Sequence, residues 1–286
     1  EKGEIRTNRK KDLDLLLKIR NGGFQKEDKT FSSEFYDILA DYELRMEKAS
    51  NESCLPDNPD MERVEAFVEH VNRIAVDKMD KKTYEQIEAY MRSCMQDSAH
   101  DVEHIYRVLY TALDIAEYEK DVDHDVLICA CLLHDIGRKA QAEGKKICHA
   151  VAGAEMAGRF LAERGCDRDY IAKVEHCIRA HRFRKGKGTQ PESTEAKILF
   201  DADKIDVTGA VGAARTLQYG GQESEPIYTR LPDGQIANGE EETADSYFHE
   251  YKHKLIKIYD MMHTKRGREI AMERKAAAVD FYENLY

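Results

Sequence analysis

LICACLLHDIGRK, residues 127–139, is a nearly unbroken apolar run that ends abruptly in His134 and Asp135. A segment apolar on most sides reads as a helix at the centre of a bundle. An imidazole and a carboxylate adjacent in sequence, presented where such a helix finishes, can both turn toward one cation. Two ligands do not hold a metal alone, because a divalent site takes about three to six N/O ligands. Other helices must therefore supply the rest. Upstream, AHDVEHIYRVLY carries His100, Asp101, His104 and Arg107, and the spacing puts His100, Asp101 and His104 on one helical face. Downstream, KILFDADKIDVTGAVGAAR carries Asp201, Asp203 and Asp206, the last two again on one face.

Taken in order, His104, His134–Asp135 and Asp203 spell H…HD…D, and the sequence closely resembles the HD superfamily of metal-dependent phosphohydrolases. HDVEHIYRVLYTA, LLHDIGRK, LFDADKIDVTGAVGAAR and the tail YKHKLIKIYDMMHTKRGREIAMERKAAAVDFY look like a subgroup of small bacterial HD hydrolases that includes nucleoside-triphosphate pyrophosphohydrolases. The resemblance covers roughly residues 80–286. It implies an all-α fold, an HD-domain helical bundle, with His104, His134, Asp135 and Asp203 as metal ligands. Asp201 competes for the last place, and the resemblance favours Asp203, the aspartate of the Ala-Asp-Lys triplet. It further implies a small phosphorylated substrate, a nucleotide, cleaved at a phosphoester or phosphoanhydride by a metal-activated water.

Two imidazoles and two carboxylates make a sulfur-free set that suits Mn²⁺, Fe²⁺, Co²⁺, Ni²⁺, Mg²⁺ or Zn²⁺. Such a cation eases loss of a proton from a neighbouring water and polarises a phosphoryl oxygen. His149, which opens a helix, and His181, which closes one, resemble positions that in some HD proteins bind a second metal or contact phosphate. Here the second histidine of the usual His–His pair is replaced by Arg182, so the choice stands between a second metal and phosphate-facing donors or acid/base groups. Charge developing on phosphate oxygens needs cationic partners. Arg107 and Arg138 are the first candidates, since a guanidinium fork suits those oxygens; Arg182, Lys204 and Arg215 are candidates for binding substrate. Asp101 is read as a general base or as an acceptor behind the metal ligands, and Tyr219 and Tyr228 as platforms for a base.

The 286 residues carry a formal charge of −11, which argues against a duplex nucleic-acid or anionic-membrane surface. No apolar run approaches the ~20 residues of a membrane span. Seven cysteines without framework spacing, and no signal-peptide pattern, indicate a reducing cytoplasm. Buried thiols acting as small apolar residues are the reading for Cys129 and Cys131. Along the chain, residues 1–59 read as an N-terminal helical extension and linker, and residues 60–286 as the HD domain. Two helices in the extension resemble the helical tail of bacterial predicted nucleotidyltransferases, notably in LLLKIRNGGF and SCLPDNPDMERVEAFV. Helices are expected over 60–76, 81–95, 98–119, 123–135, the HAVAGAE segment up to Gly165, the segment ending at His181, and 193–219. AQAEGKK is expected to be a loop, residues 220–243 a long irregular connection, and 244–263 and 265–284 a terminal hairpin.

Two rival functions share this fold. One is a phosphodiesterase on a cyclic or signalling nucleotide, opposed by Arg182 and by the absence of Gly-Tyr-Pro after His181. The other is a non-catalytic HD module regulating a nucleotidyltransferase domain that would precede Glu1. The oligomeric state, a homodimer included, is left open.

Overall fold

The computed structural model describes residues 59–95, 102–143, 148–182, 188–241 and 245–286. The two helices expected in the extension, most of the nucleotidyltransferase likeness, His100 and Asp101 lie outside the described residues. Val64–Tyr286 forms one compact unit. The fold is all-α: among the described residues there is no strand, only an isolated bridge between Arg230 and Ile236.

The elements are α1 (Pro59–Val76), α2 (Lys81–Met95), α3 (Val102–Ala116), α4 (His124–Leu133), α5 (Arg138–Glu143), α6 (His149–Glu163), α7 (Arg168–Ala180), α8 (Thr194–Ile205), α9 (Gly209–Gln222), α10 (Tyr247–His253), a 3-10 turn (Leu255–Asp260) and α11 (Lys265–Leu285). The apolar run is α4. Every residue from Val126 to Leu133 is buried, and α2, α3, α6, α7 and α8 pack around it. Burying each of Leu127, Ile128, Leu132 and Leu133 contributes about 1.5–3 kcal/mol, so α4 holds its position through burial on all sides. Cys129 and Cys131 lie in that core, and burial pushes the Cys129 thiol up to about 12, which leaves it a small apolar side chain.

Side-chain caps set where several helices begin. Asp123 accepts from the Val126 amide, Ser193 from Ala196 and Thr264 from Gly267. Gly165, at φ +74°, follows the end of α6 as expected.

Three expectations need correction. The single helix expected over 193–219 is two, because the chain turns at residues 206–208 and resumes at Gly209, whose φ is +62°. A Cβ at Gly209 would lie 2.9 Å from Arg274 Cβ, so both the backbone angle and the close approach of α11 require glycine. The AQAEGKK segment is partly α5 rather than loop. In the terminal region α10 is short and passes through the 3-10 turn before α11, whose start at Lys265 matches the expectation. The break at 206–208 matters most, since it turns Asp206 back toward α3.

Candidate metal centre

The HD turn follows α4. Gly137 lets it approach α6 closely: a Cβ there would lie 2.2 Å from His149 O and 2.5 Å from Gly153 N, both backbone atoms. That contact brings the start of α6 to the end of α4. α3 and α8 pack against each other and against α4, so His104 and Asp203 meet the same corner.

His104 Nε2 lies 3.3 Å from His134 Nε2, 3.6 Å from Asp135 Oδ2 and 3.4 Å from Asp203 Oδ1. His134 Nε2 lies 3.7 Å from Asp135 Oδ2 and 3.9 Å from Asp203 Oδ1. Ring orientation is fixed from behind. His134 Nδ1–H donates to Cys131 O at 2.7 Å, and His104 Nδ1–H donates to Asp206 Oδ2 at 2.7 Å, because a carbonyl and a carboxylate only accept. In the neutral rings both Nε2 atoms then present lone pairs to each other, an arrangement that favours a positive species between them. His104, His134 and Asp135 are buried and the Asp203 side chain is 13% exposed; the cluster offers only nitrogen and oxygen and is braced in the way that metal-ligating histidines are. These residues fit a divalent cation.

Electrostatics agree. Burial alone would lower His104, but the Asp203 and Asp206 carboxylates hold it above its ordinary value, so the corner favours a positive charge beside these acids. Burial lowers His134. Burial opposes ionisation of Asp135 and Asp203 too, yet Arg138 beside the first and Lys204 beside the second hold both carboxyls well below the usual carboxylate range. Each remains anionic at neutral pH.

A second group adjoins the first. Asp135 Oδ1, Nε2 of His149 and Nε2 of His181 lie within 4.8 Å of one another. Asp135 Oδ1 is 3.5 Å from His149 Nε2 and 3.7 Å from His181 Nε2, and it is buried with no hydrogen bond among the described residues. Asp135 thus turns one oxygen to each group.

The cations singled out in the sequence divide among four places. Arg138 Nε sits 3.0 Å from Asp135 Oδ2, with its side chain 30% exposed. Lys204 Nζ donates to Asp203 Oδ2 at 2.6 Å and to His181 O at 3.1 Å. Arg182 Nη1 lies 3.3 Å from His149 Nδ1. Arg107 and Arg215 both meet Asp206: Arg107 Nε donates to Oδ1 at 2.7 Å, and Arg215 Nη1 donates to Oδ2. Arg215 Nη1 is also 3.1 Å from His104 Nδ1, a contact that follows from both atoms donating to the same Asp206 oxygen.

Asp206 is the residue whose part sequence reasoning missed. Its signal was present, three residues after Asp203 on the same face, but its partners stand 102, 99 and 9 residues away along the chain. Asp201, the rival to Asp203, points elsewhere: its carboxylate accepts from the His263 and Thr264 amides and from Thr264 Oγ1, fastening the start of α11. His176 also lies apart, accepting from the Glu192 amide.

Comparison with known proteins bears on this geometry. The HD domain family matches residues 101–208. YpgQ of Bacillus subtilis (strain 168) is 31% identical over 208 residues, covering 71% of this chain and 92% of that protein. The crystal structure of Bacillus subtilis YpgQ in complex with ADP superposes with a TM-score of 0.54 at 27% identity, over 71% of this chain and 93% of that one. An HD-superfamily hydrolase from Bacillus thuringiensis superposes with a TM-score of 0.54 at 27% identity, over 72% and 96%. Among the described residues no helix is long and apolar enough to cross a membrane. With the H…HD…D residues gathered at one buried corner and a relative matched over most of its length, the chain belongs to the HD superfamily of metal-dependent phosphohydrolases.

Proposed function

We propose that this chain hydrolyses a phosphoester or phosphoanhydride bond of a small nucleotide, using one divalent cation held by His104, His134, Asp135 and Asp203. The observation that carries the reading is the pair of facing Nε2 lone pairs flanked by Asp135 Oδ2 and Asp203 Oδ1 in a buried, sulfur-free corner. The cation, when bound, supplies an activated water and a Lewis-acid contact to a phosphoryl oxygen. Asp206 and Cys131 O orient the two imidazoles, so no ring has to reorganise to accept it. Arg138, partly exposed beside Asp135, offers guanidinium N–H groups to substrate phosphate oxygens. Lys204 neutralises Asp203 from behind and ties it to the end of α7. His149 and His181 line the phosphate-facing side.

The nucleotide class rests on the likeness to YpgQ, a protein whose structure has been solved with ADP. The test is hydrolysis over a panel of nucleoside mono-, di- and triphosphates with Mn²⁺, Co²⁺ and Mg²⁺, beside Asp135→Ala. Turnover abolished by the substitution is the expected result. Nucleotide binding with no turnover under any metal would instead favour a regulatory module.

A further inference from the structure

The two imidazole pairs at this corner have the same spacing and opposite proton counts. His104 and His134 face each other across 3.3 Å through two lone pairs, as derived above. His149 and His181 also face each other through Nε2 atoms at 3.3 Å. His181 Nδ1 lies 2.6 Å from Ile178 O; a carbonyl only accepts, so this Nδ1 carries the proton and Nε2 the lone pair. His149 is the reverse. Its Nδ1 lies 3.3 Å from Arg182 Nη1, and a guanidinium has five N–H donors and no acceptor. Arg182 Nη1 carries two N–H groups; one serves Cys148 Sγ at 3.7 Å and the other is available to Nδ1 of His149, and accepting it leaves the proton of the neutral ring on Nε2.

We infer that Arg182 locks His149 in its Nε2–H tautomer, so that the Asp135–His149–His181 group is a hydrogen-bond donor site for an anionic phosphate oxygen and not a second cation site. A metal ligand needs a lone pair where His149 has a proton. The guanidiniums of Arg138 and Arg182 further disfavour a second dication beside them. No proton is transferred: when a phosphate oxygen arrives, the Nε2–H bond turns from His181 Nε2 to that oxygen, and His181 Nε2 becomes free to accept from a substrate hydroxyl or a water. Arg182 acts through His149 and is a positioning residue.

This inference leans on the proposed phosphohydrolase activity only for the identity of the oxygen that meets the proton. The tautomer and the metal count are measured without turnover. In the metal-free full chain labelled with ¹⁵N-histidine, His149 is assigned by its loss in His149→Gln. The expected spectrum has a protonated, pyrrole-type Nε2 and an unprotonated, pyridine-type Nδ1; the reverse pattern overturns the inference. Equilibrium dialysis against Mn²⁺ is expected to give one equivalent per chain, and two equivalents would overturn it. Arg182→Met, which removes the donor, is expected to raise the count from one to two, with a spin-coupled Mn²⁺ pair by electron paramagnetic resonance. A folded variant that stays at one equivalent would overturn the role given to Arg182. If that variant fails to fold, the two wild-type measurements decide.

Discussion

Replacing Asp206 with Asn tests how far the candidate metal centre depends on a residue that stands behind His104 rather than among the four ligands. The Asp206 carboxylate receives four contacts: His104 Nδ1 at 2.7 Å, Arg107 Nε at 2.7 Å, Arg107 Nη2 at 3.2 Å, and Arg215 Nη1. Asn keeps one acceptor oxygen and turns a donating NH₂ toward these donors, so the network cannot be satisfied. His104 then loses the fixed acceptor that sets its tautomer. Loss of such a partner typically costs 10–100-fold in metal affinity, about 1.4–2.8 kcal/mol. Stability falls as well, since two guanidiniums lose a buried counter-charge. Breaking a buried ion pair costs about 3–5 kcal/mol, and the side chains of Arg107 and Arg215, 25% and 26% exposed, can regain some water, which places the loss near the lower figure. For a unit of this size about 3 kcal/mol lowers the melting temperature by roughly 6–12 °C. Calorimetric Mn²⁺ titration at a temperature well below both transitions separates the two effects. A folded Asp206→Asn chain that binds Mn²⁺ with wild-type affinity would refute the claim that Asp206 prepares His104 for the cation.

Asp201→Ala should remove the anchor of α11 and lower the melting temperature while leaving Mn²⁺ affinity within about twofold, because among the described residues Asp201 bonds the His263–Thr264 corner and not the centre; a parallel loss of metal binding would show that Asp201, rather than Asp203, serves the centre. Gly137→Ala should destabilise by more than about 3 kcal/mol in denaturant unfolding, since its Cβ would meet the backbone of His149 and Gly153, which have no room to yield; a near-neutral result would mean that the HD turn and α6 are not in contact. In the metal-free chain, stability should fall as pH drops from 6.5 to 5. Burial depresses His149 to about 2 and His181 to about 3 from 6.5, so the unfolded chain takes up protons in this window that the folded chain refuses. His104, raised when folded, contributes fully below 6.5 and loses its contribution only as pH rises through its folded value, so it does not cancel the trend. The loss is about 2 kcal/mol per depressed histidine at pH 5, and a flat denaturation profile over this range would contradict the neutral pair.

Much of the architecture is written in local pattern. α4 is legible because nothing polar interrupts residues 126–133, and the cap residues Ser193 and Thr264 mark helix starts that the structure keeps. The H…HD…D residues were legible through their order and the family resemblance it carries, which also chose Asp203 over Asp201; spacing along the helices left that choice open. The break at 206–208 was hidden, because apolar periodicity continues across it and only Gly209 signals a turn. The requirement for glycine there comes from Arg274, 65 positions onward. Asp206 and Arg182 were hidden in the same sense. What they do depends on which nitrogen of a distant imidazole they meet, and spacing along the chain carries no record of that. The main-chain anchors of His134 and His181, the carbonyls of Cys131 and Ile178, leave no trace in side-chain identity at all.

The most direct measurement is an anomalous difference map from crystals grown with Mn²⁺. One strong peak bounded by Nε2 of His104, Nε2 of His134 and carboxylate oxygens of Asp135 and Asp203 is the expected result. A peak held by other residues, or none at saturating Mn²⁺ beside an ordered corner, would contradict the assignment of these four side chains to a common ion.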